Sequence, residues 1–507
     1  MRRWIALLLC ILFVLTLAGC SGAGSVKITS VGDLANGGKV ALYGGAPASY
    51  YLEGHYPKAE ACYFDTVAEM IVALKTGKVD CFAMDEPTLV ALGQQDDSFV
   101  IADGDLCGAW AVFAFYSDER CMALRQEFNA FLAERKDDGT LTQLQDKWFY
   151  NDGDRLATAD DTPGDGSAGM IRVGLNTEQI PYCYRRNGKI EGYETELMYL
   201  FARERGYTLE ITDCTWGGMY AGTASGKYDL GFGNIVNSEY FTASGNLSDS
   251  VCDYSIRLAV PNGDRAGSGL FETIGSGFRR TFIEEARWRD ILRGLLVTLE
   301  IALGAIFSGT LFGFAVYRLD AKGNRAVRAV IAFFRWLIGG MPVLLLLLIL
   351  YYLLFGGIRI NGTIVAIIAF MLIFATGFTG QLQTAVGTID PGQLRAALAL
   401  GYSERKAFNR IILPQAVRVL TPAYLSSVTE IIKGTAVVGY IAVLDLTRVA
   451  DLIRSRTFDA FFPLIGSTIL YFILSFLLRT LLRLLLKRFD GRGRDLRDVR
   501  KEAERHD

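Results

Sequence analysis

The chain has 507 residues, of which 51% are hydrophobic and 21% are charged, and its mean hydropathy is +0.26. This length is sufficient for two or three domains, and the positive hydropathy indicates membrane segments rather than one soluble core. The formal charge of -2 is unevenly distributed: residues 21–266 carry 20 Lys and Arg against 36 Asp and Glu, whereas residues 267–507 carry 30 against 18. Because the basic residues flank apolar stretches and do not form a soluble patch, the composition argues against nucleic acid as a partner.

The cysteine and histidine content limits the chemistry of the chain. None of the nine cysteines lies beyond Cys252, and the two histidines are His55 and His506. No two cysteines have the Cys-x-x-Cys spacing, so the sequence predicts no metal site, and two distant histidines argue against a histidine-based catalytic triad. Seven cysteines follow Cys20 in a part of the chain that we expect to be exported, where disulfides are permitted. Their odd number leaves at least one free thiol, and their pairing stays open.

The first predicted element is a secretory signal, "MRRWIALLLCILFVLTLAGCSG". Two arginines precede an apolar stretch that is short for a membrane span, and small residues follow it. The ending "LAGC" resembles the lipobox of bacterial lipoproteins, which implies that Cys20 is the lipidated first residue of the mature chain. The alternatives are an uncleaved anchor or a cysteine without this role. Each interpretation places the following residues outside the cytoplasm.

Two similar stretches mark helix-to-strand joints in the acidic half. "ALKTGKVDCFAMDEP" at 73–87 and "GTASGKYDLGFG" at 222–233 both contain a helix end, the pattern Gly-Lys-x-Asp and a strand-like run. The second stretch is not a phosphate-binding loop, because only three residues separate Gly222 from Gly226 and Tyr228 follows the lysine. The chain therefore shows no nucleotide site there. The repeated joint predicts an α/β fold of two lobes with a cleft between them.

Longer stretches of this half resemble polar amino-acid binding proteins in an unexpected order. Residues 27–117 resemble the second lobe of that family, residues 171–260 resemble the first lobe, and residues 124–149 resemble the helices that normally end such a protein. The order implies one circularly permuted binding protein, which is tolerable where termini lie close together at the surface. The polar run at 151–169 would join the original ends, since it can span roughly 60 Å. The alternative is two truncated binding proteins in tandem, each with an uncovered apolar face.

The resemblance also implies a set of ligand contacts. Asp85 stands where the family usually has an aspartate for the substrate ammonium, and Trp216 stands where a large apolar residue packs against the ligand. Gln179 replaces a stacking aromatic, Ala46 replaces a hydroxyl residue, and Tyr240 replaces the arginine that clamps the α-carboxylate. Either neutral hydrogen bonds hold that carboxylate, or the ligand is not a standard α-amino acid. The implied contacts are Ala46, Asp85, Asn176, Gln179, Tyr182, Trp216, Asn234, Asn237 and Tyr240.

Three of these residues also have structural interpretations. Asp85 is suited to cap a following helix, because Pro87 stands at a position typical of a first helical turn. Trp216 is equally compatible with a core aromatic, and Asn176 with a turn residue. The sequence leaves these roles open.

The basic half contains four plain apolar blocks and one ambiguous block. Each plain block has ~20 or more mostly apolar residues, enough to cross a hydrocarbon core of ~30 Å. The fifth block, near 417–447, contains Glu430 and Lys433, so we expect it to face protein or a cavity. Since positive loops stay in the cytoplasm and the N-terminal half is exported, the three basic segments are all cytoplasmic only if five helices cross. The plain blocks lie at 291–316, 328–355, 362–387 and 460–486.

The loop "GQLRAALALGYSERKAFNRIILPQA" resembles the EAA loop of ABC importer permeases. In that family the loop forms a helix, a turn at the glycine and a second helix, and it docks into a groove of a separate ATPase. Alanines permit close helix approach, and glycine permits the turn. Arg395 departs from the family, which usually has glutamate there. The implied docking residues are Arg395, Ala396, Ala397, Gly401, Ile411, Leu413 and Pro414.

Residues 280–490 as a whole resemble permeases for polar amino acids, for example in "LRGLLVTLEIALG" and "EIIKGTAVVGYIAVLDLT". The resemblance implies a lipid-anchored binding domain fused to the permease subunit of an ATP-driven importer for amino acids or similar polar solutes. The chain itself would be no enzyme and bind no cofactor, because ATP and Mg²⁺ would bind to the partner ATPase. A homodimer is expected, in the bacterial plasma membrane, with the binding domain outside and the C-terminus in the cytoplasm.

The alternative functions are a ligand-gated channel or sensor and an enzyme on the same binding fold. A channel or sensor predicts a pore loop or a signalling domain, and an enzyme predicts clustered acid and base residues; the sequence shows none of these. The predicted domain boundaries are 1–19 (signal peptide), 20–26 (tether), 27–117 (lobe 2), 118–150 (terminal helices), 151–169 (linker), 170–262 (lobe 1), 263–288 (linker and amphipathic segment), 289–488 (permease) and 489–507 (charged tail).

Overall fold

The structure is a computed structural model, and it has an α/β region followed by a helical region, which confirms the predicted fold class. The α/β region ends at residue 262 and the helical region begins at residue 277. Cys20, with the predicted signal peptide and tether, lies outside the described residues. The structure describes residues 27–43, 46–64, 66–150, 157–186, 188–237, 246–262, 277–356, 358, 360–457, 459 and 461–489.

Strands and helices alternate through the described part of the α/β region. β3, which reads CFAMD, is buried at every position, as a central strand of a covered sheet requires. The strands are β1 (Gly38–Tyr43), β2 (Ala59–Phe64), β3 (Cys81–Asp85), β4 (Phe99–Ile101), β5 (Cys107–Phe115), β6 (Gly169–Leu175), β7 (Glu178–Gln179), β8 (Cys183–Arg186), β9 (Lys189–Glu191), β10 (Tyr207–Asp213), β11 (Leu230–Asn237) and β12 (Cys252–Pro261). The helices are α1 (Pro47–His55), α2 (Val67–Lys75), α3 (Glu86–Gly93), α4 (Glu119–Asp137), α5 (Thr140–Phe149), α6 (Tyr193–Arg205) and α7 (Trp216–Ala224).

One nine-stranded sheet runs through both lobes in the order β10-β6-β11-β5-β12-β3-β1-β2, with β4 paired to β12. We define lobe 2 as β1–β4 with α1–α3, and lobe 1 as β6–β11 with α6 and α7. Within each lobe the pairs β1–β2, β1–β3, β6–β10 and β6–β11 are parallel. Parallel strands with helical crossovers are the α/β pattern that the repeated helix-to-strand joint predicts.

The strands β5 and β12 carry the chain between the lobes. β5 pairs antiparallel with β11 of lobe 1 and with β12. In β12, residues 252–256 pair with β5, and residues 256–259 pair with β3 of lobe 2. The segments before and after the polar run at 151–169 therefore form one domain, because each contributes strands to the same sheet.

The helices α4 and α5 pack on lobe 1. The ring of Phe128 in α4 lies 5.0 Å from Phe113 of β5 and 5.1 Å from Phe201 of α6, measured between ring centroids. The Trp148 indole N–H in α5 donates to Glu196 Oε2 of α6 at 2.7 Å. Truncating a buried phenylalanine typically costs about 3–5 kcal/mol. This aromatic cluster therefore contributes strongly to holding together the segments before and after the polar run.

The helical region contains nine α-helices within its described residues. Two π-helical turns lie between these helices, at Ile349–Leu354 and at Phe408–Ile412. The helices are α8 (Trp288–Lys322), α9 (Arg325–Gly340), α10 (Val343–Leu348), α11 (Gly362–Gly387), α12 (Pro391–Ala399), α13 (Glu404–Ala407), α14 (Leu413–Gly434), α15 (Leu446–Thr457) and α16 (Phe461–Phe489).

Four described helical segments are long and apolar enough to cross a membrane, and a bent pair raises the number to five if it counts as one span. The predicted block at 328–355 is this pair. It is not one straight helix, because α9 and the helix that follows it meet at 111° beside Pro342. Proline removes a backbone donor and clashes with the preceding turn, which explains the break. The four unbroken segments are Trp288–Lys322, Gly362–Gly387, Glu404–Ile441 and Phe462–Leu486.

The charges of the ambiguous block lie on the surface of the chain. The side chains of Glu430 and Lys433 are 71% and 63% exposed and form an i,i+3 ion pair at 3.7 Å. Leu420, Val428 and Ile432 of this block are buried against protein as expected, whereas its two charged residues face neither protein nor a cavity within a single chain.

Small residues bring α8 and α11 close together. A Cβ atom on Gly309 would lie 3.0 Å from the Met371 carbonyl oxygen, and one on Gly313 would lie 2.9 Å from the Ala375 carbonyl oxygen. Because lipid gives helices no hydrophobic reason to associate, close packing of this kind is a main source of stability between membrane helices.

The seven cysteines after Cys20 are free thiols. Six of them are buried and Cys62 is half-buried. Buried free cysteines behave as small apolar side chains, and their role here is packing.

Candidate functional site

A cavity of about 430 Å³ lies between the two lobes, within the range of about 300–1,000 Å³ that is typical of small-molecule sites. The first turn of α1 and the ends of β1, β2 and β3 form its lobe 2 wall, and β7, α7 and β11 form its lobe 1 wall. Its lining residues are Tyr43, Ala46, Pro47, Ala48, Phe64, Ala83, Met84, Asp85, Gln179, Trp216, Tyr220, Asn234, Val236 and Ile256.

Asp85 is the charged residue among those lining the cavity. It ends β3 and caps α3, because its Oδ1 accepts a hydrogen bond from the Thr88 N–H at 2.9 Å. The Tyr182 hydroxyl donates to the same oxygen at 2.8 Å, and Asn234 Nδ2 donates to Oδ2 at 3.3 Å. Burial raises the pKa of Asp85, and the hydrogen bonds from Thr88 and Tyr182 oppose that rise. Asp85 therefore both caps α3 and lines the cavity.

Asn234 connects the cavity to a buried polar network. It has a φ of 56°, an uncommon value for a residue other than glycine, at the point where the pairing of β11 with β5 shifts register. The Tyr254 hydroxyl donates to its Oδ1 at 2.8 Å, and its own backbone N–H donates to Glu194 Oε2 at 2.8 Å. The register shift thus turns the Asn234 amide towards Asp85 of the other lobe.

The structure brings five of the nine implied ligand contacts together in this cavity, and three of the other four are not among its lining residues. Tyr182 is fully buried behind Asp85. Asn176 is a turn residue: its Oδ1 accepts from the Glu178 N–H, and its Nδ2 donates to the Cys214 carbonyl oxygen. Asn237 is buried in β11 away from the cavity, and Tyr240 lies outside the described residues. The five that line the cavity are Ala46, Asp85, Gln179, Trp216 and Asn234.

Three aromatic residues of the cavity were missed from the sequence. Tyr220 follows Trp216 by four positions in α7, and the two rings stack with centroids 5.8 Å apart. This i,i+4 spacing was the available signal. Tyr43 and Phe64 are partners in register at the carboxyl ends of the parallel strands β1 and β2, and such strand ends are where α/β sheets bind ligands.

The helix α15 of the helical region joins the α/β region near the cavity. The guanidinium of Arg448, whose side chain is 2% exposed, donates to Glu178 Oε1, to Asp213 Oδ1 and to the Cys214 carbonyl oxygen. Arg454, further along α15, pairs with Glu69 of α2 in lobe 2 at 3.4 Å. One helix therefore holds both lobes.

A second contact between the regions involves the stretch "SGKYD". The Lys227 ammonium lies 3.5 Å from the centroid of the Tyr351 ring, and burial lowers the pKa of Lys227 to about 8. In α7 a Cβ atom on Gly218 would lie 2.9 Å from both the Tyr352 hydroxyl and the Tyr440 carbonyl oxygen. The helix that carries Trp216 and Tyr220 thus packs directly on the helical region.

The loop between α11 and α14 has two short helices around a turn. α12 ends before Gly401, whose φ of +83° is a conformation that glycine adopts readily, and α13 follows. Ala397 is buried, whereas Leu400 is 80% exposed at the turn. Among the other implied docking residues, Arg395, Ala396, Gly401 and Pro414 are exposed, and Ile411 and Leu413 are half-buried.

The sequence of the helical region is similar to sequences of known transport proteins. Residues 305–491 match the family described as "Binding-protein-dependent transport system inner membrane component". The putative glutamine transport system permease protein GlnP of Rickettsia conorii is 30% identical over 186 residues, which are 36% of this chain and 85% of that protein. The histidine/lysine/arginine/ornithine transport system permease protein HisQ of Salmonella typhimurium is 26% identical over 197 residues, or 36% and 86% of the two chains.

A solved structure described as an amino acid ABC transporter with histidines is 25% identical and covers 44% of this chain and 100% of its own. Its TM-score of 0.38 is too low to define a shared fold. The aligned 36% of the present chain covers 85% of the GlnP relative and 86% of the HisQ relative.

Proposed function

We propose, since this chain belongs to the family of binding-protein-dependent transport system inner membrane components, that it unites the solute-binding domain and the permease subunit of an ATP-driven importer. The solutes are amino acids or amino-acid-like polar compounds, the class for which the matched relatives are named. The binding domain captures the solute outside the cell, and the helical region carries it inward.

The observation that carries this proposal is the cavity between two lobes that α15 joins to the helical region. A cleft of this kind closes on a ligand by movement of one lobe against the other. Because Arg448 contacts lobe 1 and Arg454 contacts lobe 2, closure changes the contacts that α15 makes. Solute capture and the state of the permease are therefore linked within one chain.

The energy comes from a separate ATPase that docks on the loop between α11 and α14, through residues 395–414. Apolar exposure at the turn, with Leu400 80% exposed and Leu398 39% exposed, supports a protein contact there. ATP and Mg²⁺ are bound by that partner. Two copies of the chain complete the pathway, and the exposed Glu430 and Lys433 belong to the surface that a second copy would cover.

The same proposal includes the arrangement of the chain. The binding domain is a circularly permuted binding protein, supported by the two crossing strands β5 and β12 and by the packing of α4 and α5 on lobe 1. Cys20 anchors it to lipid, and it lies outside the plasma membrane, with the C-terminus in the cytoplasm.

The proposal is tested with the full chain and a neighbouring-gene ATPase, co-purified and reconstituted in liposomes. We expect radiolabelled solute to accumulate inside only with ATP, after a thermal-shift screen has identified the solute. Free ligand at 100 times Kd stabilises a binding-competent protein by about 2.7 kcal/mol, which is readily detected. A solute-gated ion current without ATP dependence would identify a channel instead.

The docking surface is tested by Leu400→Glu. Placing a charge in an apolar contact is costly, so we expect at least a tenfold loss of ATPase co-purification and of ATP-driven uptake. Because the Leu400 side chain is largely exposed in the chain alone, the melting temperature and solute affinity of the variant should match those of the unmodified chain. Undiminished co-purification would show that the ATPase binds elsewhere.

A further inference from the structure

The described lining of the cavity between the lobes has an acidic side chain but no basic one. This described lining contains the carboxylate of Asp85 and no Lys, Arg or His side chain. The stretches adjoining it in sequence that the structure does not describe are 44–45, 65 and 238–245, and they contain Asp65 and Glu239 but no basic residue. A carboxylate ligand would therefore enter without a cationic partner, which is costly in a desolvated site.

The helix N-termini at the cavity do not replace the missing cation. In α1, Pro47 has no N–H, and the Ser49 N–H donates to the Ala46 carbonyl oxygen at 2.9 Å. The first turn of α3 is capped by Asp85 itself, and in α7 the Thr215 hydroxyl accepts from the Gly218 N–H at 3.2 Å. Each of these helix starts therefore offers fewer free backbone donors to an anion than an uncapped helix start would.

The two arginines that approach the cleft from α15 are already neutralised. Arg448 is bonded to Glu178 and Asp213, and Arg454 pairs with Glu69 at 3.4 Å and with Asp451 at 3.0 Å. Asp213 is shared with Arg185 at 3.2 Å, so four carboxylates surround three guanidinium groups, each of them paired. Neither arginine has spare charge to offer a ligand carboxylate.

The groups that are present suit a cation. Asp85 Oδ2 accepts a long hydrogen bond from Asn234 Nδ2 at 3.3 Å, and a carboxylate oxygen has the acceptor capacity for a further N–H. Tyr43, Phe64, Trp216 and Tyr220 line the same space, and aromatic faces attract ammonium groups. We infer that the cleft takes a small organic cation, a protonated amine or a quaternary ammonium, that has no carboxylate. This inference rests on the proposed importer function and narrows its solute class.

The test compares matched pairs that differ by one carboxylate, using the full chain in detergent. The pairs are arginine and agmatine, lysine and cadaverine, and ornithine and putrescine, with choline as a quaternary ammonium and glutamine as a neutral amino acid. Affinities come from calorimetric titration. We expect at least one decarboxylated amine or choline to bind at least tenfold more tightly than every amino acid in the set.

Two variants assign the binding to the cavity. Asp85→Asn keeps an effective helix cap but removes the charge, so amine affinity should fall at least tenfold. Asp118→Asn is the matched control, because Asp118 caps α4 on the exposed surface of lobe 1, and it should change affinity less than twofold. Tyr220→Leu, at a half-exposed position, should weaken the amine about threefold or more through loss of an aromatic face.

The outcomes separate the inference from the function on which it rests. An amino acid that binds as tightly as its amine overturns the inference and leaves the importer proposal standing. If no compound binds to a chain whose melting is cooperative, both fail. Amine binding that Asp85→Asn and Tyr220→Leu leave unchanged also overturns the inference, because the site would then lie elsewhere.

Discussion

At the scale of a single residue, Glu194 shows how burial sets the chemistry of this domain. It lies in α6 with no exposed surface, and its Oε2 accepts a hydrogen bond from the Asn234 N–H. Burial raises the pKa of Glu194 from 4.5 to about 8, and the nearby Asp85 adds to the rise. Glu194 contacts the cavity residue Asn234, and its carboxyl group is therefore mostly neutral at pH 7.

This shift predicts a pH-dependent stability. Between pH 4.5 and about 8 the folded chain holds a proton on Glu194 that the unfolded chain has lost, so stability falls as pH rises through this window. The slope is at most about 1.4 kcal/mol per pH unit for one group. The melting temperature of the full chain, followed by tryptophan fluorescence, should fall from pH 5 to pH 8, and Glu194→Gln should flatten that fall.

The control is Glu196→Gln, two positions along the same helix. Glu196 is paired with Lys147 and accepts from Trp148, so its replacement should lower the melting temperature at every pH without removing the slope. If Glu194→Gln retains the full slope of the unmodified chain, Glu194 is not the titrating group.

At the scale of an element, α15 is a helix of the helical region that contacts both lobes. Its first turn places Arg448 between Glu178 of β7 and Asp213 of β10. Glu178 directly precedes the cavity residue Gln179, and Asp213 lies three positions before the cavity residue Trp216. Its last turns place Arg454 near Glu69 of lobe 2. A buried pair and a surface pair thus hold the two lobes to one helix.

We predict different effects for the two arginines. Arg448→Ala removes the arginine partner of Glu178 and leaves Arg185 alone beside the buried Asp213, and breaking a buried ion pair typically costs about 3–5 kcal/mol. Arg454→Ala, the matched control, breaks a partly exposed pair worth under about 1 kcal/mol. Hydrogen exchange of α15 amides should accelerate by at least a hundredfold in the first variant and little in the second. Equal exchange in both variants would mean that Arg448 does not hold α15 on lobe 1.

At the scale of the whole molecule, the main sheet of the α/β region contains strands from both sides of the polar run. β5 from the N-terminal segment lies between β11 and β12 from the later segment. Phe128 packs against Phe201, and Phe113 stacks with Phe232, across the same boundary. Permutation leaves such a core unchanged, because packing depends on which residues meet and not on the order in which the chain supplies them.

This arrangement predicts that the domain survives a cut. With a protease site inserted between residues 153 and 154, the cleaved N-terminal fragment should stay with the remainder during gel filtration in detergent and should separate only in denaturant. A denaturing gel confirms complete cleavage. Two tandem fragments with separate cores would instead come apart, so a free N-terminal fragment in the native column would contradict the single-domain arrangement.

Much of this architecture was predictable because it rests on local patterns. Apolar runs of about 20 residues mark membrane helices whatever surrounds them, and "SGKYD" marks a helix-to-strand joint. The bend beside Pro342 had a local signal in the proline, but its angle of 111° depends on how α9 and α10 pack. Tyr220 likewise had a signal in its spacing from Trp216.

The chain by itself determined the two regions, the helix-to-strand joints and the residue types available to a ligand. Only the tertiary structure decided which of them share a cavity. It turned Asn234 towards Asp85 through a register shift, buried Asn176 in a turn and placed Arg448 against lobe 1. The physical reason is that a site is made by residues distant in sequence, whose meeting depends on sheet register and on packing between elements and not on the propensity of any one segment.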